Sequence, residues 1–580
     1  MNLLQQVSTI CSQALQDAFP EIKDTHAQFV EVSQSTQPQF GHYQCNSAMK
    51  LAKVLQKPPR VIANEIVAKL QSPFISKIEI AGPGFINITL DEKFLEKSSN
   101  QILNDPRLGV NRTTPAQNII IDFSSPNTAK EMHVGHLRST IIGDCLARVL
   151  EFQGNNVLRL NHIGDWGTAF GMLIAFLKRN HPNVLTGEEN TDLTHLVGWY
   201  KESKALFDND PAFKLTSQQE VVKLQSGDAE AKKAWEIICE ISRKAYQEIY
   251  DLLNIKLQER GESFYNPQLA GIVAELEAKG LVEISDGAKC IFLEGFKNRE
   301  GDALPLMVQK SDGGFNYDTT DMAAIKQRVQ EEKGDRLIYV TDAGQATHFD
   351  MIFKAAEKAG YVDPSKVKTE HVPFGLVLGE DGKKFKTRSG TTERLMDLLD
   401  NAIIEAEKIL REKNPGLSEE EIKHIAHVLG ISAVKYADLS CHRTSNYVFS
   451  YERMLRFDGN TAAFLMYSYV RAEGIKRRTG ANIDELKRAA TITLTHPSEV
   501  TLALHLLRFE ETLDSVSADL LPNRLCDYLY GLAENFNAFF RDCRVEGTPE
   551  EKSRLLLCEL FATTMKLGLD LLGVETVEKM

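Results

Sequence analysis

The chain has few of the features that would tie it to a membrane, a metal cluster or an oxidising compartment. Nine cysteines are scattered through 580 residues and no CxxC pair occurs, so no structural zinc is expected and the thiols read as reduced, buried groups of a cytoplasmic protein. No uninterrupted apolar run of about 18 residues appears, so no membrane span is expected. The opening MNLLQQVSTICSQALQDAFP lacks a basic stretch leading into an apolar core, and no secretory signal is expected there. Positive charge is in deficit, with 67 Lys and Arg against 80 Asp and Glu, a net charge of −13. That balance argues against nucleic acid at first sight, and no DNA partner is expected. RNA stays open, because a phosphate backbone answers to local basic patches rather than to the total. Lys383-Lys384-Lys386-Arg388 and Lys476-Arg477-Arg478 are such patches, although each alone could be a solvated face. Internal repeats and long low-complexity linkers are missing as well.

What remains is ordinary globular protein, 43% hydrophobic and 25% charged. At this length one core does not suffice, and three or four domains are expected. Ile119 to Gly167 organises the rest. Ile119-Ile120-Ile121 reads as a short strand, broken by Ser124-Ser125-Pro126-Asn127. Leu137, Ile141, Ile142, Cys145, Leu146, Val149 and Leu150 then fall at helical spacing until Gly154 closes the run. Val157 to Leu160 is a second short strand. A β-loop-α-β unit of this kind sets a helix N-terminus, with unpaired amide donors, at the carboxyl end of a parallel strand. His133 and His136, in HVGH, sit at that mouth, where imidazoles can donate to the phosphates of ATP as charge builds on departing pyrophosphate. Gly135 would let an adenine ring approach the backbone. HVGH alone is weak, since two histidines around a glycine arise often by chance; strand, loop, Lys130 and amphipathic helix together give it weight.

SSPNTAKEMHVGHLRSTIIGD resembles the HIGH region of class I aminoacyl-tRNA synthetases, and within them the arginyl-tRNA synthetases. The resemblance extends over nearly the whole chain. It implies an α/β fold, a Rossmann-type doubly wound parallel sheet, with an N-terminal α+β domain and a C-terminal all-α anticodon-binding domain. Residues 1–110 are similar to the family's N-terminal appendage, which contacts the outer corner of tRNA. Residues 111–380 are expected to form the catalytic domain, split at about 172–300 by a connective insertion. Residues 381–455 would carry the phosphate loop and the junction to the tRNA stem, and 456–580 the anticodon-binding helices. Two strand-like runs around Asp312-Gly313-Gly314 predict a hairpin.

Further implications concern the site. The loop Lys384 to Gly390 occupies the place of the KMSKS motif; Lys384 matches its first lysine, while Thr387 stands where the second would be. Many arginyl-tRNA synthetases carry a lysine just ahead of HIGH instead, here Lys130. The resemblance therefore gives His133, His136, Lys130 and Lys384 catalytic parts, with Gly135, Lys386 and Arg388 on ATP, and magnesium accompanying the ATP. Asp122, Asn127, Tyr317, Asp321 and Gln345 would line the arginine pocket, where a guanidinium with five donors wants planar carboxylates. An Asp122 paired only within the protein would look the same in sequence. Tyr447, Arg453, Arg456, Tyr467, Tyr469 and Arg471 interleave aromatics with cations, a pattern for stacking on tRNA or simply for helix core, and Tyr467 and Arg471 are singled out. His162 and His348 line the crevice without an assignable step.

The implied reaction is ATP-dependent activation of L-arginine and its transfer to the terminal adenosine of tRNA(Arg), by a cytoplasmic enzyme expected to be a monomer. A class I synthetase for another amino acid such as lysine, a small-molecule nucleotidyltransferase and a non-catalytic tRNA-binding paralogue are the competing readings.

Overall fold

The structure, a computed structural model, describes residues 2–22, 24–385 and 393–580. The chain divides into two compact units, one of Met1–Asn111 with Arg456–Leu571 and Glu575–Met580, the other of Arg112–Leu455 with Leu572–Val574.

The second unit is built on five parallel strands. In chain order its elements are β1 (Asn118–Asp122), α1 (Val134–Phe152), β2 (Asn156–Asn161), β3 (Gln258–Glu259), α2 (Tyr317–Gln330), β4 (Arg336–Asp342), α3 (Ala346–Lys358) and β5 (Lys368–Phe374). The sheet order is β5-β4-β1-β2-β3, with Ile119 facing both Arg336 and Val157. Chain direction across the sheet therefore reverses between β1 and β4, the place where doubly wound folds open a crevice at their carboxyl ends. Ile119, Ile120 and Ile121 are all buried, because a parallel sheet is covered on both faces and its central strand shows a continuous apolar run rather than an alternating one. On one face Ile120, Leu160, Leu337 and Tyr339 meet Met322 and Ile325 of α2 and Phe349, Ile352 and Phe353 of α3. The Ser139 hydroxyl of α1 donates to the Val340 carbonyl of β4 at 2.7 Å and accepts from Ser124 N–H at 2.9 Å, tying α1 to both halves of the sheet.

Between β2 and β3 run the helices Thr168–Asn180, Pro182–Thr186, Leu193–Asn209, Pro211–Gln225 and Ala229–Leu252. The stretch anticipated as insertion thus returns to the main sheet at Gln258–Glu259. It then adds a helix, Asn266–Ala278, and an antiparallel three-stranded sheet, Glu283–Ser285, Ala288–Lys297 and Ala303–Gln309. The hairpin expected around Asp312-Gly313-Gly314 does not form. Those residues make a turn, Gly313 N–H to Lys310 O and Lys310 N–H to Gly314 O, and Asn316 then caps α2 in extended conformation. The run Phe315-Asn316-Tyr317 is the entry to a helix, whose acidic first turn complements the helix dipole.

Downstream, β6 (Val377–Leu378) and β7 (Tyr447–Val448) pair in parallel. Between them stand the helices Leu395–Lys413 and α4 (Glu419–Leu439). In the other unit, the four-stranded antiparallel sheet runs in the order Val32–Gln34, Tyr43–Cys45, Phe85–Leu90, Ile75–Ala81. It shares its unit with the helices from Ala462–Thr479 to Glu551–Leu571. Buried contacts join these ends of the chain: Tyr43 OH donates to Glu511 at 2.9 Å, and Asn100 exchanges two hydrogen bonds with the Ile492 backbone. All nine cysteines are free thiols, and eight of them are buried.

Candidate active site

The loop leaving β1 is held in an unfavourable backbone conformation. Ser124, Ser125 and Ala129 have φ of 72°, 50° and 59°, a region costly for residues with a Cβ unless the surroundings over-determine it. They do. Ser124 Oγ pairs with Tyr250 OH at 2.7 Å and accepts from Thr140 at 2.8 Å. Ser125 N–H donates to Asn161 Oδ1, Ser125 Oγ accepts from His162 N–H, and Ala129 N–H donates to Ser242. The loop then pairs with the segment following β2 at Asn127 and Gly164. A Cβ at Gly164 would lie 2.0 Å from Asn127 Oδ1, so glycine is required for the Asn127 amide to occupy that place.

At the start of α1 the two histidines cap the helix. His133 Nδ1 accepts from Gly135 N–H at 3.0 Å, and His136 Nδ1 accepts from His133 N–H at 3.1 Å. Their rings lie 4.2 Å apart. Since each Nδ1 is an acceptor, each neutral ring carries its proton on Nε2, and both Nε2–H groups are donors not used by the cap. Burial and then the His133 and Lys130 charges push His136 down to about 3, while burial and the Lys384 charge lower His133. Neutral imidazoles at a helix N-terminus form a donor-rich, uncharged cradle for an anion. Lys130 is exposed, its carbonyl held by Tyr246 OH at 2.6 Å. Lys384 is exposed on the hairpin that begins at β6, bridged to Leu378. The two lysines thus bear on different imidazoles of the pair. Gly135 has a local reason: a Cβ there would meet the His133 ring at 2.9 Å. Lys386, Thr387 and Arg388 lie outside the described residues.

A second cluster stands at the same carboxyl edge. Tyr317 and Asp321 share the first turns of α2. His348 of α3 donates from Nε2 to Asp321 Oδ2 at 2.6 Å and lies 3.2 Å through Nδ1 from Asp318 Oδ1. Burial alone would lower His348, but its bonds to Asp318 and Asp321 outweigh it and raise it to about 9. Tyr317, 62% exposed, meets the His348 ring edge-on at 5.2 Å. His162 Nε2 is 3.9 Å from Asp321 Oδ1, and its buried Nδ1 has no hydrogen-bond partner among the described residues. Gln345, in the turn after β4, donates to Asp342 at 3.1 Å.

Sequence reasoning missed Glu262. It follows β3 in the chain, and burial, then Asp321 and Asp165, raise its carboxyl to about 7. A half-buried carboxylate strained by a second carboxylate is a place that favours a cation. The only hint in sequence was a glutamate after glycine in ERGESFY. Asp122 is differently placed. It ends β1 as expected, but its Oδ2 meets Arg328, itself 1% exposed, at 2.8 Å, and its Oδ1 accepts from Ser125. Its carboxylate is committed within the protein.

In the other unit Tyr467 and Arg471 come together. The Arg471 guanidinium lies 4.8 Å from the Tyr467 ring and 4.8 Å from the exposed Phe540 ring, and donates to Tyr467 OH and Asn537. Phe540 was not anticipated. Tyr447 and Tyr469, read as stacking candidates, are buried at 8% and 4%. Tyr447 packs 5.1 Å from the guanidinium of Arg138, which is fully buried on α1 and paired with Asp438 of α4.

A parallel sheet entered at its switch point by a histidine-capped helix, with a lysine-bearing hairpin beside it, defines a class I aminoacyl-tRNA synthetase. Residues 98–451 match the family model described as tRNA synthetases class I (R), catalytic domain; residues 465–580 match the DALR anticodon binding domain and 5–90 the arginyl tRNA synthetase N terminal domain. The chain belongs to the arginyl-tRNA synthetase family. It is 63% identical over 581 residues to the arginine–tRNA ligase of Protochlamydia amoebophila and 53% identical over 586 residues to that of Trichodesmium erythraeum, each alignment covering 100% of both chains. The crystal structure of arginyl-tRNA synthetase from Plasmodium falciparum superimposes with a TM-score of 0.89 at 35% identity, covering 100% of both chains.

Proposed function

We propose that this chain is an arginine–tRNA ligase: it activates L-arginine with magnesium-bound ATP to arginyl-adenylate and transfers arginine to the terminal adenosine of tRNA(Arg). The observation that carries the amino-acid choice is that Glu262, already disfavoured as an anion by burial, also feels the negative charge of Asp321 at the carboxyl edge of the sheet. Glu262 is raised toward neutrality by burial and Asp321, so a planar cation between them relieves a repulsion already present. Tyr317, Asn127 and Gln345 complete the pocket. Asp122 acts through Arg328 and Ser125, shaping the strand end rather than holding substrate.

On the ATP side, His133 and His136 donate from Nε2 to the α-phosphate and the departing pyrophosphate, with Lys130 and Lys384 supplying charge. Neutral donors suit this step, because their worth grows as negative charge develops in the transition state. Lys386 and Arg388 are assigned to ATP as further cations. Residues 381–455 carry the phosphate loop to the tRNA-facing junction, and Tyr467 with Arg471 offers a base-stacking surface on the anticodon-binding helices. No described helix is long and apolar enough to cross a membrane, and we place the enzyme in the cytoplasm as a monomer.

ATP–pyrophosphate exchange with each amino acid in turn, with and without tRNA(Arg), tests this reading. Exchange that depends on arginine alone among the twenty is expected. Exchange with lysine, or none with any amino acid, would overturn it.

A further inference from the structure

We infer that His348 is the positioning residue of the guanidinium slot, acting through Asp321 and itself set by Asp318. The inference rests on the arginine-activating reading above and extends it to a side chain that touches no substrate.

The geometry is a relay of three groups. Asp318 Oδ2 is fixed by Met307 N–H at 3.0 Å, and its Oδ1 faces His348 Nδ1 at 3.2 Å. The other imidazole nitrogen donates to Asp321 Oδ2 at 2.6 Å. One oxygen of Asp321 is therefore occupied, and the other, Oδ1, lies 3.9 Å from His162 Nε2, while the Asp321 charge is also felt at Glu262. A carboxylate free to rotate could present either oxygen; one pinned by a charged donor presents a single oxygen in a fixed direction, so one N–H of the planar guanidinium is met there and its other donors are left for the rest of the slot. His348 is pinned in turn, by Tyr317 edge-on at 5.2 Å and Phe349 at 5.2 Å. The groups facing it are Tyr317, Asp318 and Asp321 from α2 and His371 from β5, whose ring stacks on Phe349 at 5.1 Å. His371 is pushed down to about 4, first by burial and in part by the His348 charge, so the cation of this cluster is His348 and not its neighbour.

The test is steady-state ATP–pyrophosphate exchange in the presence of tRNA(Arg) for wild type, His348→Ala, His348→Gln, Asp318→Asn and the double variant His348→Ala/Asp318→Asn. Loss of a charge-assisted bond to Asp321 is expected to raise the arginine KM of His348→Ala by about tenfold to a hundredfold, with the ATP KM held within about twofold. Retention of the ATP KM and of kcat is the check that the fold is intact. His348→Gln, which keeps one donor for Asp321, is expected to recover part of the loss. Asp318→Asn is expected to raise the arginine KM in the wild-type background and to do nothing further in the His348→Ala background, because its effect passes through the imidazole. An unchanged arginine KM in His348→Ala, an equal rise in the ATP KM, or additive effects in the double variant would each overturn the role of His348. Wild-type exchange that does not depend on arginine would overturn the functional reading, and this inference with it.

Discussion

Two groups of histidines stand along the same sheet edge in opposite charge states. At the head of α1, His133 and His136 spend Nδ1 as acceptors from backbone amides and are pushed down, His136 to about 3. At the head of α3, His348 lies between two carboxylates and is raised to about 9. In the proposed reading the first pair would meet ATP as neutral donors that add no charge of their own, and Lys130 and Lys384 would supply the charge. The second, in the proposed reading, acts on arginine only through Asp321, as a fixed cation that organises anions. The difference shows that imidazole identity decides little here, and that the partner of each ring nitrogen decides nearly everything.

The comparison can be broken at several points. The largest effect is expected at the phosphate end. His136→Ala should lower the turnover of adenylate formation by about a hundredfold to a thousandfold, as for loss of one preorganised donor, with the arginine KM little changed; stopped-flow or exchange kinetics measure it. Turnover at the wild-type level would remove His136 from the chemistry. Next, Lys130→Ala should cut activation by about a hundredfold, and adding Thr387→Lys should restore part of it, since one cation can substitute for the other across the phosphates. A silent Lys130→Ala would end that compensation.

At the other end, Glu262→Gln is expected to raise the arginine KM by about tenfold. The pH dependence carries a sign. Glu262 has its carboxyl raised to about 7 in the free enzyme, and a bound guanidinium lowers it, so arginine binding must expel a proton below that value. The arginine KM should therefore climb as pH falls through about 7, and this acid limb should vanish in Glu262→Gln. The smallest effect is expected far from either cluster: Tyr467→Ala, which removes one face of the Arg471 sandwich, should raise the tRNA KM by about fivefold to tenfold, within the range for one lost stacking contact, and leave arginine and ATP untouched.

The unit that carries HVGH was legible in the sequence because it is local. Strand, loop, HVGH and helix lie within some fifty consecutive residues, and periodicity plus helix capping place them without tertiary information. The arginine end is assembled by chain return. Glu262 comes to feel the Asp321 charge because the stretch after the long helices comes back to the sheet at β3, and nothing at residue 262 itself announces that. Asp122 shows the opposite limit: its position at the end of β1 was readable, but its partner Arg328 is more than two hundred residues away. The turn at Gly313-Gly314 was mistaken for a hairpin because capping at Asn316, which starts α2, resembles strand sequence until the helix is seen. Phe540 escaped notice because it joins Arg471 from a different helix.

Selective ¹⁵N-imidazole NMR of the full-length enzyme, with resonances assigned by the single variants His133→Gln, His136→Gln and His348→Gln, puts the contrast to the most direct test. At neutral pH His133 and His136 should show neutral rings protonated at Nε2, His136 holding that state down to about pH 3, while His348 should show an imidazolium that persists until the pH approaches 9. A charged His136 at neutral pH, or a His348 that titrates at the ordinary value near 6.5, would contradict the assignment of neutral donors to one end of the site and a fixed cation to the other.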